Sequence, residues 1–175
     1  MAKLHLFLTS LSLFSLTTLS GSSFAQIKLS NQPTLQAQET TTTTTASCPL
    51  EPSIAVTFLR SECREVELKE PRTYYRYYSN DGNKFGRYLT TNRYEKNVDV
   101  IRNLALKQEW GNQATIMLQV TVPTGTKVYE GIVAPQDPQA CYPGGGQQTF
   151  IKDSKDPNIK WSEGTPMQVE PFKCP

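Results

Sequence analysis

The run Tyr142-Pro143-Gly144-Gly145-Gly146-Gln147-Gln148-Thr149-Phe150-Ile151 most constrains what this chain can fold into. Three consecutive glycines remove every side chain from a bend, so a second backbone strand or a ligand can come within contact distance there. Thr-Phe-Ile then reads as the start of a strand. The two glutamines between bend and strand carry donors and acceptors without charge, so either can orient a hydroxyl group without titrating. The segment has a plain reading as a structural turn beside a functional one as a close-approach site.

The start of the chain limits the chemistry available to that bend. Lys3, the apolar stretch Leu4 to Leu19 and the small residues around Ser23-Phe24-Ala25 read as a secretory signal over residues 1–25, cleaved before Gln26. An exported protein, extracellular or periplasmic, is therefore expected, with no membrane segment left after cleavage. His5, the single histidine of the chain, leaves with the signal. The mature protein is then without Ser-His-Asp or Cys-His pairs and without a histidine-bearing metal site, and no metal is expected. Residues 26–47 include the run Thr40 to Thr45 and several glutamines, a composition with little to bury that reads as a disordered linker. The folded domain is expected over residues 48–175. All four cysteines, Cys48, Cys63, Cys141 and Cys174, fall in it. In an exported chain an even count favours two disulfides, with three connectivities open; Cys48–Cys63 with Cys141–Cys174 is the favoured one. The net charge is only +2 and both signs are interspersed, which argues against nucleic acid or a membrane surface as partner.

Periodicity supplies the elements. Thr73 to Tyr78 is an aromatic strand followed by the turn signal Asn80-Asp81-Gly82-Asn83, and Arg87 to Thr91 is a second strand. Ser53 to Leu59 fits either a short helix or a strand. Asn92 with Glu95 has capping-box spacing, and Tyr94, Val98, Ile101, Ala105 and Trp110 recur at a helical period until Gly111, so one main helix is expected there. Ile116, Leu118, Val120 and Val122 alternate with Thr115, Met117, Gln119 and Thr121, the pattern of a half-buried strand. Lys127 to Glu130, Gln148 to Lys152 and Met167 to Phe172 complete the set. One helix among short strands predicts an α+β fold with a small, mostly antiparallel sheet, stapled by disulfides.

Arg76 is a lone cation on the aromatic strand, either facing water or offering forked donors to a phosphate or ribose at a cleft floor. The segment Phe85-Gly86-Arg87-Tyr88-Leu89-Thr90-Thr91 places an arginine and two hydroxyls on the next strand, and Arg102 lies on the helix.

In their order these elements resemble the NAD glycohydrolase domain of the tuberculosis necrotizing toxin type, within the wider ADP-ribosyltransferase-like fold. The resemblance runs from about Tyr74 to Ile151. It rests on Phe85-Gly86-Arg87-Tyr88-Leu89, more loosely on Arg102-Asn103-Leu104-Ala105-Leu106 and Val120-Thr121-Val122-Pro123-Thr124-Gly125, and most specifically on Pro143-Gly144-Gly145-Gly146-Gln147-Gln148. The histidine that some members use has no counterpart here. The resemblance implies NAD(P)+ as substrate without a further cofactor, and an immunity or target protein as partner. It implies Gln148 and Arg76 as catalytic residues, with Arg87, Tyr88, Thr90, Thr91, Arg102, Gly144, Gly145, Gly146, Gln147 and Phe150 contacting the nucleotide. The chemistry tolerates this set: nicotinamide departs neutral from a cationic ribosyl bond, so no acid carboxylate is required, unlike ordinary glycoside hydrolysis. A secreted ADP-ribosyltransferase and a non-enzymatic, disulfide-stabilised extracellular binding module are the alternatives.

Overall fold

The structure is a computed structural model that describes residues 47–175. The signal segment, His5 and the linker up to residue 46 lie outside the described residues.

The fold is α+β, built from short antiparallel strands and one main helix. Two short helices, α1 (Pro52–Ala55) and α2 (Asn97–Asn103), accompany eight strands: β1 (Arg64–Glu67), β2 (Arg72–Tyr78), β3 (Tyr88–Leu89), β4 (Ile116–Val122), β5 (Lys127–Ile132), β6 (Gln147–Ile151), β7 (Lys160–Trp161) and β8 (Thr165–Pro166). They form two four-stranded sheets rather than one. The first runs β1-β5-β6-β3; in the second β4 pairs with β2 on one side and with β7 and β8 on the other. A bridge between Tyr75 and Thr90 ties the two together.

Alternation is resolved as the period-two pattern requires. Leu118, Val120 and Val122 of β4 are buried while Gln119 is exposed. They pack with Tyr74, Leu89, Val128 and Ile151 from both sheets, and each such burial contributes roughly 1.5–3 kcal/mol. A second cluster joins Val100 and Ile101 of α2 to Tyr77 and Tyr142, and a third gathers Phe58, Tyr129 and Phe150 around the first disulfide. The disulfides are Cys48–Cys63 and Cys141–Cys174. Among the described residues no helix is long and apolar enough to cross a membrane.

Three expectations need correction. The main helix begins five residues after Asn92, because residues 92–96 are drawn into tertiary bonds. Asn92 Oδ1 accepts the Gln147 N–H at 2.6 Å, the Tyr77 hydroxyl accepts the Tyr94 N–H at 2.7 Å, and Gln168 bridges to Lys96. The helix also stops at Asn103 instead of reaching Trp110. Ala105 turns left-handed at φ +48°, with the Leu106 N–H bonded to the Ile101 carbonyl and the Ala105 N–H to the Arg102 carbonyl. That is a Schellman end with alanine where glycine is usual, and Gln108–Trp110 follows as a separate 3-10 turn. Finally, Met167 to Phe172 is no strand; the last pairings are those of β7 and β8.

Candidate active site

A cavity of about 350 Å³ opens where β2, β3, β6 and the loop after α2 meet. Arg76 of β2, Tyr88 of β3, Thr90 just after it and Gln148 of β6 all line it, although they are separated by up to 72 positions (148 − 76) in the chain. Thr57, Tyr75, Tyr77, Leu104, Trp110 and Asn112 complete much of its wall. Its volume lies at the lower end of the range of small-molecule clefts, roughly 300–1,000 Å³.

Arg76 is held by backbone carbonyls. Its Nη2 donates to Asn83 O at 2.7 Å, Nη1 to Tyr88 O at 3.1 Å and, more weakly, Nε to Lys84 O at 3.4 Å. Gly86 makes this possible, since a Cβ there would overlap the guanidinium. Three of the five guanidinium donors are used, leaving two for a ligand. Among the described residues Arg76 has no carboxylate partner, and no Asp, Glu, Lys or His lines the cavity. Burial drags its pKa down to about 10, so it is still a cation at neutral pH. A half-buried, unpaired positive charge in a cavity is a binding-site signature.

Gln148 is 8% exposed and its orientation is fixed chemically. The Thr57 hydroxyl donates to the Ile54 carbonyl at 2.7 Å, so its oxygen can only accept from Gln148, which lies 2.9 Å away. The Thr57 carbonyl, 3.4 Å from the same amide, also can only accept. The Nε2 end must therefore face Thr57, and among the described residues the Gln148 carbonyl oxygen has no protein partner. It is the end available to a ligand hydroxyl. Thr90 is similarly primed: its Oγ1 accepts the Asn92 N–H at 3.0 Å, leaving its own O–H free to donate. Tyr77, whose hydroxyl donates to Asn92 O and accepts from Tyr94 N, has its pKa pushed up to about 12 by burial and stays protonated.

The other expected contact residues lie elsewhere. Thr91 and Gln147 line a second cavity, of about 330 Å³, with Arg64, Glu130 and Thr149; Gln148 borders both. The Arg87 guanidinium lies 5.0 Å above the Phe150 ring, and Phe150 is itself buried against Tyr88 and Tyr129. Arg102 lines neither cavity.

The three glycines meet protein instead of open space, with one exception. The N–H groups of Gly144 and Gly146 donate to the carbonyls of Arg102 and Asn103, satisfying the free end of α2, while Gly145 donates to Val133 O. A Cβ on Gly144 would fall 2.6 Å from Val133 O, and one on Gly146 2.8 Å from the Tyr94 hydroxyl; at Gly145 there is room. None of the three lines either cavity. The bend thus sets the position of Gln148 by locking β6 to the helix end. Thr57 carries no sequence signal for its role, since its partner is 91 residues away. Asn112, which donates to Tyr77 O and accepts from the Ala114 N–H, follows Gly111 and likewise carries no sequence signal for its role.

No family model matches the sequence, and no curated protein matches it. Among solved structures, a chain from the structure of Tne2 in complex with Tni2 superposes with a TM-score of 0.55 at 18% identity, covering 65% of this chain and 99% of that one. A chain from the complex of Rhs1-CT with its cognate immunity protein RhsI1 gives a TM-score of 0.44 at 15% identity, over 61% of this chain and 83% of that one. The likeness to the first is one of fold. Among the described residues no cluster of three or more His, Cys, Asp or Glu could hold a metal ion.

Proposed function

We propose that this protein is a secreted, toxin-like NAD(P)+ glycohydrolase that releases nicotinamide and ADP-ribose. The observation that carries the reading is the convergence of Arg76, Thr90 and Gln148 on one cavity, with the free ends of all three being groups that can bond a ribose or phosphate. Support for this nucleotide over another comes from the resemblance of Pro143 to Gln148 and Phe85 to Leu89 to the necrotizing-toxin type of domain. The fold shared with a chain of the Tne2–Tni2 complex is compatible with it. By the same analogy, an immunity protein is the partner to look for.

The reaction breaks the bond between ribose C1′ and the pyridinium nitrogen. The bonding pair leaves with nicotinamide, which becomes neutral, and C1′ acquires oxocarbenium character. Water adds to C1′ and loses its proton to solvent, giving ADP-ribose. No acid is needed for the leaving group, so a cavity without histidine or carboxylate suffices in kind. Its work is to hold the ribose in a reactive conformation while the Gln148 carbonyl and the Thr90 hydroxyl engage the ring hydroxyls. Arg76 supplies positive charge for a phosphate oxygen.

Incubating the purified protein with NAD+ and following nicotinamide by chromatography tests this. Turnover that falls by about 10²–10³-fold in Gln148→Ala is expected, by analogy with the loss of one preorganised polar group at a reacting centre. Absence of turnover in the wild type overturns the reading, and turnover that requires a protein acceptor favours a transferase.

A further inference from the structure

Trp110 lines the cavity while remaining largely exposed. Five large apolar side chains are strongly exposed among the described residues, namely Val56, Leu59, Phe85, Trp110 and Val169; of these only Trp110, at 56%, lines the cavity. An indole left that open loses the burial that usually stabilises it, and exposed aromatics beside a cleft characteristically mark ligand contacts.

The segment bearing it is built to stay put. The Gln108 side-chain amide donates to Leu106 O at 3.1 Å and Asn112 O at 3.2 Å, pinning both ends of the turn. The Gln108 N–H reaches the Tyr142 hydroxyl at 3.2 Å. Gly111 closes the turn at φ +73°. An apolar side chain with no role would need no such bracing. The chemistry around it is selective as well: aromatic faces and one arginine line the cavity, and no carboxylate does. A cationic ring entering there finds no acidic counter-ion, so the negative face of an aromatic ring is the group present to receive its charge.

Resting on the glycohydrolase reading, we infer that Trp110 stacks on the nicotinamide ring of the substrate and favours its oxidised, pyridinium form. The ring is positively charged before C1′–N cleavage and neutral after it, so the cation–π component is lost with the bond and the product is released more readily.

The test uses the two tryptophans of the chain, Trp110 and Trp161. Trp161 pairs with Phe85 outside the cavity lining, so Trp161→Phe leaves Trp110 as the sole indole reporter, and Trp110→Phe leaves only Trp161. Nicotinamide mononucleotide is expected to quench Trp161→Phe and not Trp110→Phe, whereas ADP-ribose quenches neither. Trp110→Ala should raise KM for NAD+ on the order of tenfold, the effect of losing one base–aromatic stack, and Trp110→Phe should recover most of it. Quenching by ADP-ribose as strong as by the mononucleotide, no quenching by either, or an unchanged KM in Trp110→Ala overturns the assignment. Because quenching is read without turnover, stacking with no hydrolysis would sink the enzyme reading alone, and hydrolysis with no stacking would sink this one alone.

Discussion

Replacing Thr57 by valine isolates the device that aims Gln148. The substitution keeps the shape and removes two hydrogen bonds, the 2.9 Å bond from Gln148 and the 2.7 Å bond to Ile54. At about 1 kcal/mol net per bond, offset by about 0.8 kcal/mol for the added buried methyl group, the loss of stability is roughly 1 kcal/mol. For a domain of this size that lowers Tm by about 3–5 °C. Activity should fall as well. Only the 3.4 Å contact to the Thr57 carbonyl then holds the amide, and an orientation preference worth about 1 kcal/mol is a factor of about five in population. With the amide free to flip, the correctly oriented fraction falls from about five in six to about one half, so the expected result is a kcat/KM for NAD+ reduced about twofold, measured by nicotinamide release at a temperature where both proteins are folded. Thr57→Ser, which restores the hydroxyl, should recover most of it. A Thr57→Val protein with the expected melting shift and unaltered kcat/KM would refute the reasoning that Thr57 positions Gln148.

The glycine bend gives a graded prediction for thermal melts: Gly144→Ala, which combines φ +68° with a backbone clash, should cost about 3 kcal/mol or more, and Gly145→Ala only the roughly 1–2 kcal/mol of a strained φ. Gly145→Ala as the worse of the two would contradict the packing described. The pH profile should be flat from about pH 6 to 9, because no histidine or carboxylate lines the cavity. Burial lowers the Arg76 pKa, but the three backbone carbonyls that accept from the guanidinium keep it charged, and Tyr77, raised to about 12, stays protonated, so neither group adds a limb to that plateau. An acidic limb near pH 6 in kcat/KM would show a titrating group that this site does not contain. Removing the Cys141–Cys174 disulfide, which closes a separation of 33 residues, should destabilise by roughly 3–4 kcal/mol, visible as a lower urea midpoint for the double serine variant.

Much of the fold was legible because its signals are local. The alternation from Ile116 to Val122 and the aromatic run of β2 each carry their own period, and both are strands as read. The helix was overextended because its apparent cap, Asn92, and the residues behind it find better partners across the fold, in Gln147, Tyr77 and Gln168. No periodic pattern reports such competition. Its early end was hidden too, since Ala105 adopts a conformation for which glycine would have been the warning. The short pairings of β7 and β8 hold two residues each, too few to show a period. At the site, Arg76, Thr90 and Gln148 were readable through their order along the chain, while Thr57 and the braced Trp110 turn depend on contacts that only the folded chain creates.

The most direct test of the central claim is product stoichiometry from NAD+ with no added acceptor, quantified by mass spectrometry for wild type and Gln148→Ala. Nicotinamide and free ADP-ribose in equal amounts from the wild type, with both falling together by about 10²–10³-fold in the variant, is the predicted result. Nicotinamide without free ADP-ribose, or a wild type that leaves NAD+ intact, would contradict it.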